Sequence, residues 1–276
     1  FGSIGNDTNG GLDKNRHAWV GLTGDFGTVV GGRLDGVRYG IFGKYDPFAN
    51  GTVGNITQLT PQVDRANNAI AYISPTFAGF TVVGAYSTQI GGDENVETTA
   101  TNKGGNRGDN RLQTLMVSYA NGPLSAAIDY VQIKTQGAGD YNTLIVNTFA
   151  VSYDFGVVKL SGLYDIVRSG KNNTVSNAFD DRADDNSWKT HNWLIGAKAP
   201  IGSNIVLKAA YGHVNNKVKD DADISKWGLG MDYLLSKRTN VYLDYGHINN
   251  DDNTATKLHQ AGNGFQSGHG VRGFDL

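Results

Sequence analysis

From Ser118 onward apolar side chains recur at every second position, the period of a strand and not the 3.6-residue period of a helix. Leu124, Ala126, Ile128 and Tyr130 share one face of such a segment, with Ser125, Ala127 and Asp129 on the other. Phe149, Val151, Tyr153 and Phe155 stand opposite Thr148, Ala150, Ser152 and Asp154. Leu160, Gly162 and Tyr164 alternate with Lys159, Ser161 and Asp165, and Leu207, Ala209 and Tyr211 with Lys208, Ala210 and Gly212. Trp227, Leu229, Met231 and Tyr233, and then Val241, Leu243 and Tyr245, continue the rhythm. The pattern predicts an all-β chain of about twelve antiparallel strands between Asn15 and Gly246.

Three details set this apart from a soluble sandwich. The apolar faces end in an aromatic (Tyr119, Tyr130, Tyr153, Tyr164, Tyr211, Tyr233, Tyr245), as a girdle at a membrane interface would. The opposite faces hold Asp129, Lys159, Lys198 and Lys208 at mid-strand, where a dry core would penalise charge and a watery lumen would not. Tight turns at 120–123, 154–156, 200–204 and 236–239 alternate with long polar stretches at 90–111, 169–191 and 249–276. Short turns on one side and long loops on the other predict a transmembrane antiparallel β-barrel. Closure follows because hydrocarbon leaves no backbone group unpaired. A soluble sandwich or propeller shares the alternation but accounts for neither the aromatic ends nor the short–long rhythm.

Composition narrows the function classes. The formal net charge of −2 in 276 residues lacks the basic excess of a nucleic-acid binder. Hydrophobic residues make up 39%, and no apolar run is long enough for a membrane-spanning helix. The absence of cysteine removes disulfides, thiolate metal sites and cysteine nucleophiles, and suits a chain that crosses an oxidising periplasm unfolded. Glycine, at 38 residues, is the outlier, and with 5 prolines it points to strands and turns, not to a disordered linker. No shift in composition or linker divides residues 1–276, so a single domain is expected; residues 1–11 do not read as a leader peptide.

The segment from Arg16 to Phe80 is the most specific. A strand HAWVGLTG turns at Asp25-Phe26-Gly27 and returns through TVVGGR to Arg33. About thirty residues, 34–67, then lose the alternation while keeping Tyr39, Ile41, Phe42, Tyr45, Phe48, Ile56 and Leu59. A loop so long and so apolar must pack against something, and inside a wide barrel that is the wall. NRHAWVGLTGDFGTVVGGR (15–33), YDPF (45–48) and DRANNAIAYISPTFAGF (64–80) resemble the trimeric general porins of Gram-negative outer membranes, most closely the neisserial and beta-proteobacterial type. The resemblance implies a sixteen-stranded barrel with an inward-folded third loop at 34–67 that constricts the pore. It also implies a chain lacking roughly the first three strands, and a closing strand that only begins at Gly-Phe-Asp-Leu276; a complete twelve-stranded barrel is the alternative, with residues 1–15 hard to place. A homotrimer in contact with outer-membrane lipid and lipopolysaccharide is implied too, with residues 5–15 as a latch onto a neighbouring subunit.

A diffusion pore needs no nucleophile and no cofactor; its selectivity comes from the width of the constriction and the charges placed there. By resemblance Arg16, Arg33 and Arg65 match wall positions, Arg38 opens the third loop, and Lys44 and Asp46 lie near its tip. Basic residues Arg16, Arg33, Arg38, Lys44 and Arg65 outnumber acidic Asp35, Asp46 and Asp64, which predicts passage of small hydrophilic solutes and ions with weak anion preference. The six histidines lack metal-site spacing, and the acidic runs at 180–185 and 220–223 lack the glycine and terminal glutamate of a calcium loop. No serine sits in a nucleophile-elbow context and no glycine loop fits a phosphate cradle. Three rival readings stay open, one of them a soluble all-β binding protein that a salt or carbonate wash would release from the membrane. A substrate-specific channel would share the barrel, and a barrel enzyme would need a Ser–His pair at the lipid boundary.

Overall fold

The computed structural model describes residues 17–49, 51–56, 59–90, 110–136, 141–169, 189–254, 256, 258 and 271–276. Five strands and one helix come first: β1 (Ala18–Gly24), β2 (Gly27–Asp35), α1 (Val37–Tyr45), β3 (Arg65–Ile73), β4 (Phe80–Gln89) and β5 (Asn110–Asn121). Four long strands follow, β6 (Leu124–Gln136), β7 (Tyr141–Asp154), β8 (Lys159–Ser169) and β9 (Lys189–Ile201). The last are β10 (Ile205–Asn216), β11 (Ile224–Ser236), β12 (Thr239–Asn250) and the short β13 (Arg272–Asp275). Every strand pairs antiparallel with its neighbours in chain order, a single curved meander with β1 and β13 at its described edges. The strands expected between Asn15 and Gly246 are β1–β12, and β13 adds four residues where the sequence places the start of the next strand. The short–long rhythm holds less strictly than the sequence suggests: β10 and β11, on the long-loop side, are joined by 217–223 alone.

Burial shows which way the wall faces. Leu115, Ile128, Phe149, Leu160, Ile195, Leu207, Leu229 and Val241 are all exposed, and they lie on the adjoining strands β5–β12 as one continuous apolar belt. A belt of that extent is the surface a barrel presents to lipid. Aromatics border it on both sides. Toward the short turns Phe80 lies 4.7 Å from Tyr119, and Tyr153 lies 4.6 Å from Phe155. Toward the loops the row runs Trp193–Tyr211 at 5.5 Å, Trp227–Tyr245 at 5.1 Å and Tyr245–Phe274 at 4.7 Å.

Strands of 12 to 14 residues in β5–β7 exceed the roughly 9–11 that a bilayer requires, so their ends stand in water. Beyond Tyr130 the alternation changes phase. Gln132 and Lys134 continue the outer face, while inward Val131 and Ile133 are buried with Leu144, Val146 and Val167. This outer rim packs like an ordinary soluble sheet.

The long connection between β2 and β3 folds back into the lumen. Ile41, Phe42, Tyr45, Phe48, Val53, Ile56 and Leu59 form one core with Ala150, Leu163, Leu194, Ala210, Val214, Ile224 and Ile248 of the wall. The wall is cut away to receive them. A Cβ on Gly196 would collide with the Pro47 ring, one on Gly212 would meet Leu59 at 2.5 Å, and one on Gly228 would meet the Gly54 backbone at 2.8 Å. Part of the glycine excess is therefore a floor on β9–β12 on which the loop backbone rests.

Gly246 gives that floor a test. A Cβ there would stand 2.5 Å from the Val53 carbonyl oxygen, backbone that cannot swing aside. Gly246→Val is expected to lift the segment 51–56, seen as faster proteolysis within the loop and a wider size limit for permeating sugars. Gly84→Ala, whose Cβ meets nothing within 4 Å, is expected to change neither.

Candidate pore constriction

Arg38 holds the first half of the loop. On α1 and 3% exposed, it donates from Nε to the Pro61 carbonyl at 3.0 Å and from one terminal nitrogen to Thr60 Oγ1 at 3.1 Å. Its guanidinium forks onto Asp165 of β8, at 2.8 and 3.2 Å, and also reaches Thr148 of β7. The pair is wholly buried, and a planar fork against a carboxylate is the arrangement that makes burial of both charges tolerable. The Tyr45 hydroxyl adds a 2.9 Å hydrogen bond to Ser125.

Asp46 organises the second half. Its carboxylate accepts the backbone N–H of Phe48 at 2.9 Å and of Ile56 at 2.6 Å, which closes the turn after α1. Burial pushes this carboxyl up to about 7, against the opposing pull of those two donors and of Lys226 and Lys198. Lys226 of β11 donates to the Asn55 carbonyl, and Asp275 accepts from the Val53 N–H at 2.8 Å. Lys208 sits between Asp232 at 2.7 Å and Asp244 at 2.9 Å, so its charge is compensated within the wall.

Three lysines are not so occupied. Lys159 and Lys198 face each other across β8 and β9, and with Lys44 at the end of α1 they line an open cavity of about 420 Å³ beneath the loop. Lys159 donates to the Lys44 carbonyl at 3.3 Å. No ion pair joins any of the three to a carboxylate among the described residues. Burial, and then the neighbouring Lys159 ammonium, lower Lys44 below the usual lysine range. Because the loop covers β7–β12, the space it leaves lies between α1 and β1–β5, an open cavity of about 610 Å³. Gly40, Lys44 and Tyr45 border both cavities.

The residues nominated from the sequence are distributed as follows. Lys44 borders both cavities and Arg38 is inside the loop's own fastening, while Asp46 borders the 420 Å³ cavity with its carboxylate bound within the loop. Arg33 and Arg65 flank the roots of the loop at the loop-side ends of β2 and β3, both half-buried; Arg33 donates to Asn67, and Arg65 lies across from Asp35 in register. Asp35 in turn lies 2.9 Å from His17. Arg16 and the latch segment 5–15 lie outside the described residues. Lys159 and Lys198, placed on the watery face by their alternation, are not among the nominated constriction residues. Their signal is the cross-strand register, which joins strands separated by a long loop.

A sequence pattern for Gram-negative porins matches residues 2–253. Outer membrane porin protein 32 of Delftia acidovorans is 31% identical over 290 aligned positions, covering 100% of this chain and 76% of that protein. An outer membrane porin protein of Bordetella pertussis is 29% identical, with 86% of this chain and 67% of that protein covered. Among solved structures, the anion-selective porin from Comamonas acidovorans superposes with a TM-score of 0.66 at 28% identity, covering 93% of this chain and 74% of that one. Vibrio cholerae OmpT, 15% identical, shares the fold with a TM-score of 0.64. Matches of this extent, on a lipid-facing strand meander with a loop folded into its lumen, make the chain a member of the Gram-negative porin family, channel proteins of the outer membrane.

Proposed function

We propose that the chain forms a passive, weakly anion-selective pore with no catalytic activity, constricted by the loop between β2 and β3. Lys44, Lys159 and Lys198 supply the positive field on the water side of that loop, and this cluster is the observation that carries the reading. Arg38 and Asp46 serve the constriction by fixing the loop's shape, while Arg16, Arg33 and Arg65 contribute positive charge at its rim. The similar Comamonas acidovorans porin is described as anion-selective, which supports the sign. Hydrocarbon tolerates no unpaired strand edge, which supports closure of the sheet into a barrel, sixteen-stranded in the family the sequence resembles. Subunits associate as a homotrimer bordered by outer-membrane lipid and lipopolysaccharide.

Native protein in a planar bilayer under a potassium chloride gradient tests this. The expected result is conductance proportional to salt, with a reversal potential on the anion side. That preference is expected to weaken as pH rises into the alkaline range, where the lowered Lys44 loses its charge before an ordinary lysine does. A cation-side reversal would contradict the charge assignment. Conductance that saturates with one solute and not with others would favour a substrate-specific channel.

A further inference from the structure

The lumen is chemically divided. On β6–β12 its face carries Asp129, Asp165, Lys208, Lys226 and Asp244, all buried where the loop covers the wall. The uncovered half differs: Val30, Ala71, Val83, Ala85 and Met116 of β2–β5, interspersed with the hydroxyls of Thr28, Ser87, Thr114 and Ser118, line the 610 Å³ cavity, whose opposite side is α1. Asp35 and Lys44 are the two charged residues bordering it. Inorganic ions and sugars gain nothing from the methyl groups of this wall, which return none of the hydrogen bonds that hydration supplies; only its few hydroxyls do. A solute with its own apolar surface gains about 25 cal/mol for each Å² it shares with that wall. Lys44 then links this wall to the Lys159–Lys198 pair, so an apolar surface and a cluster of ammonium groups adjoin along one path.

We propose that the passage favours small organic monoanions with an apolar body, the carboxylate meeting Lys44, Lys159 and Lys198 and the ring or short hydrocarbon chain lying against β2–β5. This rests on the pore reading above and names the solute class for the same site. The contact is one-sided, because the cavity is open and far larger than a single ring, so the solute is held briefly and released. Weak, repeated contact is what permits flux as well as preference.

The test compares benzoate with gluconate, a polar monoanion, in bi-ionic measurements against chloride on the native protein. The expected benzoate-to-gluconate permeability ratio exceeds the ratio of their aqueous mobilities by at least about five-fold. In a Val30→Thr/Val83→Thr variant, which keeps the shape and adds hydroxyls, the ratio is expected to fall toward the mobility ratio. In Lys159→Gln/Lys198→Gln both anions are expected to lose permeability relative to potassium while their ratio persists. A native ratio equal to the mobility ratio, with chloride conductance and anion-side reversal intact, would overturn the solute class and leave the pore standing. No conductance at all would overturn the pore reading itself.

Discussion

Replacing Arg38 by alanine is expected to free the constriction loop and raise single-channel conductance several-fold, while the barrel wall stays folded. The guanidinium joins Pro61 and Thr60 of the loop to Thr148 and Asp165 of β7 and β8, beside the direct hydrogen bond that the Thr60 hydroxyl donates to Asp165. Its removal leaves the Asp165 carboxylate, 0% exposed, without its cation. Breaking a buried pair in this way costs on the order of 3–5 kcal/mol. The wall, held by continuous backbone ladders from β1 to β13, can bear that loss, whereas the loop keeps only its apolar core and the bonds of Tyr45, Val53 and Asn55 to the wall. Release of the loop therefore takes less free energy than unfolding. Arg38→Lys is expected to restore the constriction only in part, because one ammonium cannot reproduce the fork onto both carboxylate oxygens. The check is conductance together with proteolysis of the loop. A lower melting temperature with unchanged conductance would show that the clamp supports the fold without setting the aperture.

The second large effect concerns sign. Converting Lys44, Lys159 and Lys198 together to glutamate is expected to move the reversal potential from the anion side to the cation side. Six units of charge change around one 420 Å³ cavity, where low-dielectric walls concentrate the field. The single change Lys159→Gln is expected to shift the potential in the same direction by a fraction of that amount. Extra salt is expected to shrink both effects, since mobile ions screen the passage at short range. Were the triple variant to stay anion-selective, the rim arginines and not the lysines would govern selectivity.

Much of this is legible in the residues. The period of two places β6–β12 and puts Lys159, Asp165, Lys198 and Lys208 on the face away from Leu160, Tyr164 and Tyr211. The aperiodic stretch with Phe42, Phe48 and Leu59 announces an inward loop, and those side chains do form its core. Other features are hidden for physical reasons. Alternation says that two faces differ but not which one is dry, so the change of phase beyond Tyr130, where Val131 and Ile133 turn into the packed rim, does not show in the strand alone. Asp46 looks like a tip charge in the sequence; it is the two backbone N–H groups of Phe48 and Ile56 that draw it inside. Arg38 looks like a pore cation for the same reason, since its partner Asp165 is 127 residues away. The glycine excess reads as turns and strands, whereas Gly196, Gly212, Gly228 and Gly246 are required by the close approach of the loop.

The most direct test of the account asks where the water is. Because the chain has no cysteine, single cysteines can be introduced without background and probed during conduction with a charged, thiol-specific methanethiosulfonate. Ala85 lines the space between α1 and β1–β5, and Ala210 lies beneath the loop in the covered half. The expected result is rapid modification of Ala85→Cys with a stepwise fall in current, and no change for Ala210→Cys. Modification of Ala210→Cys with Ala85→Cys inert would place the passage on the other side of the loop and contradict the account.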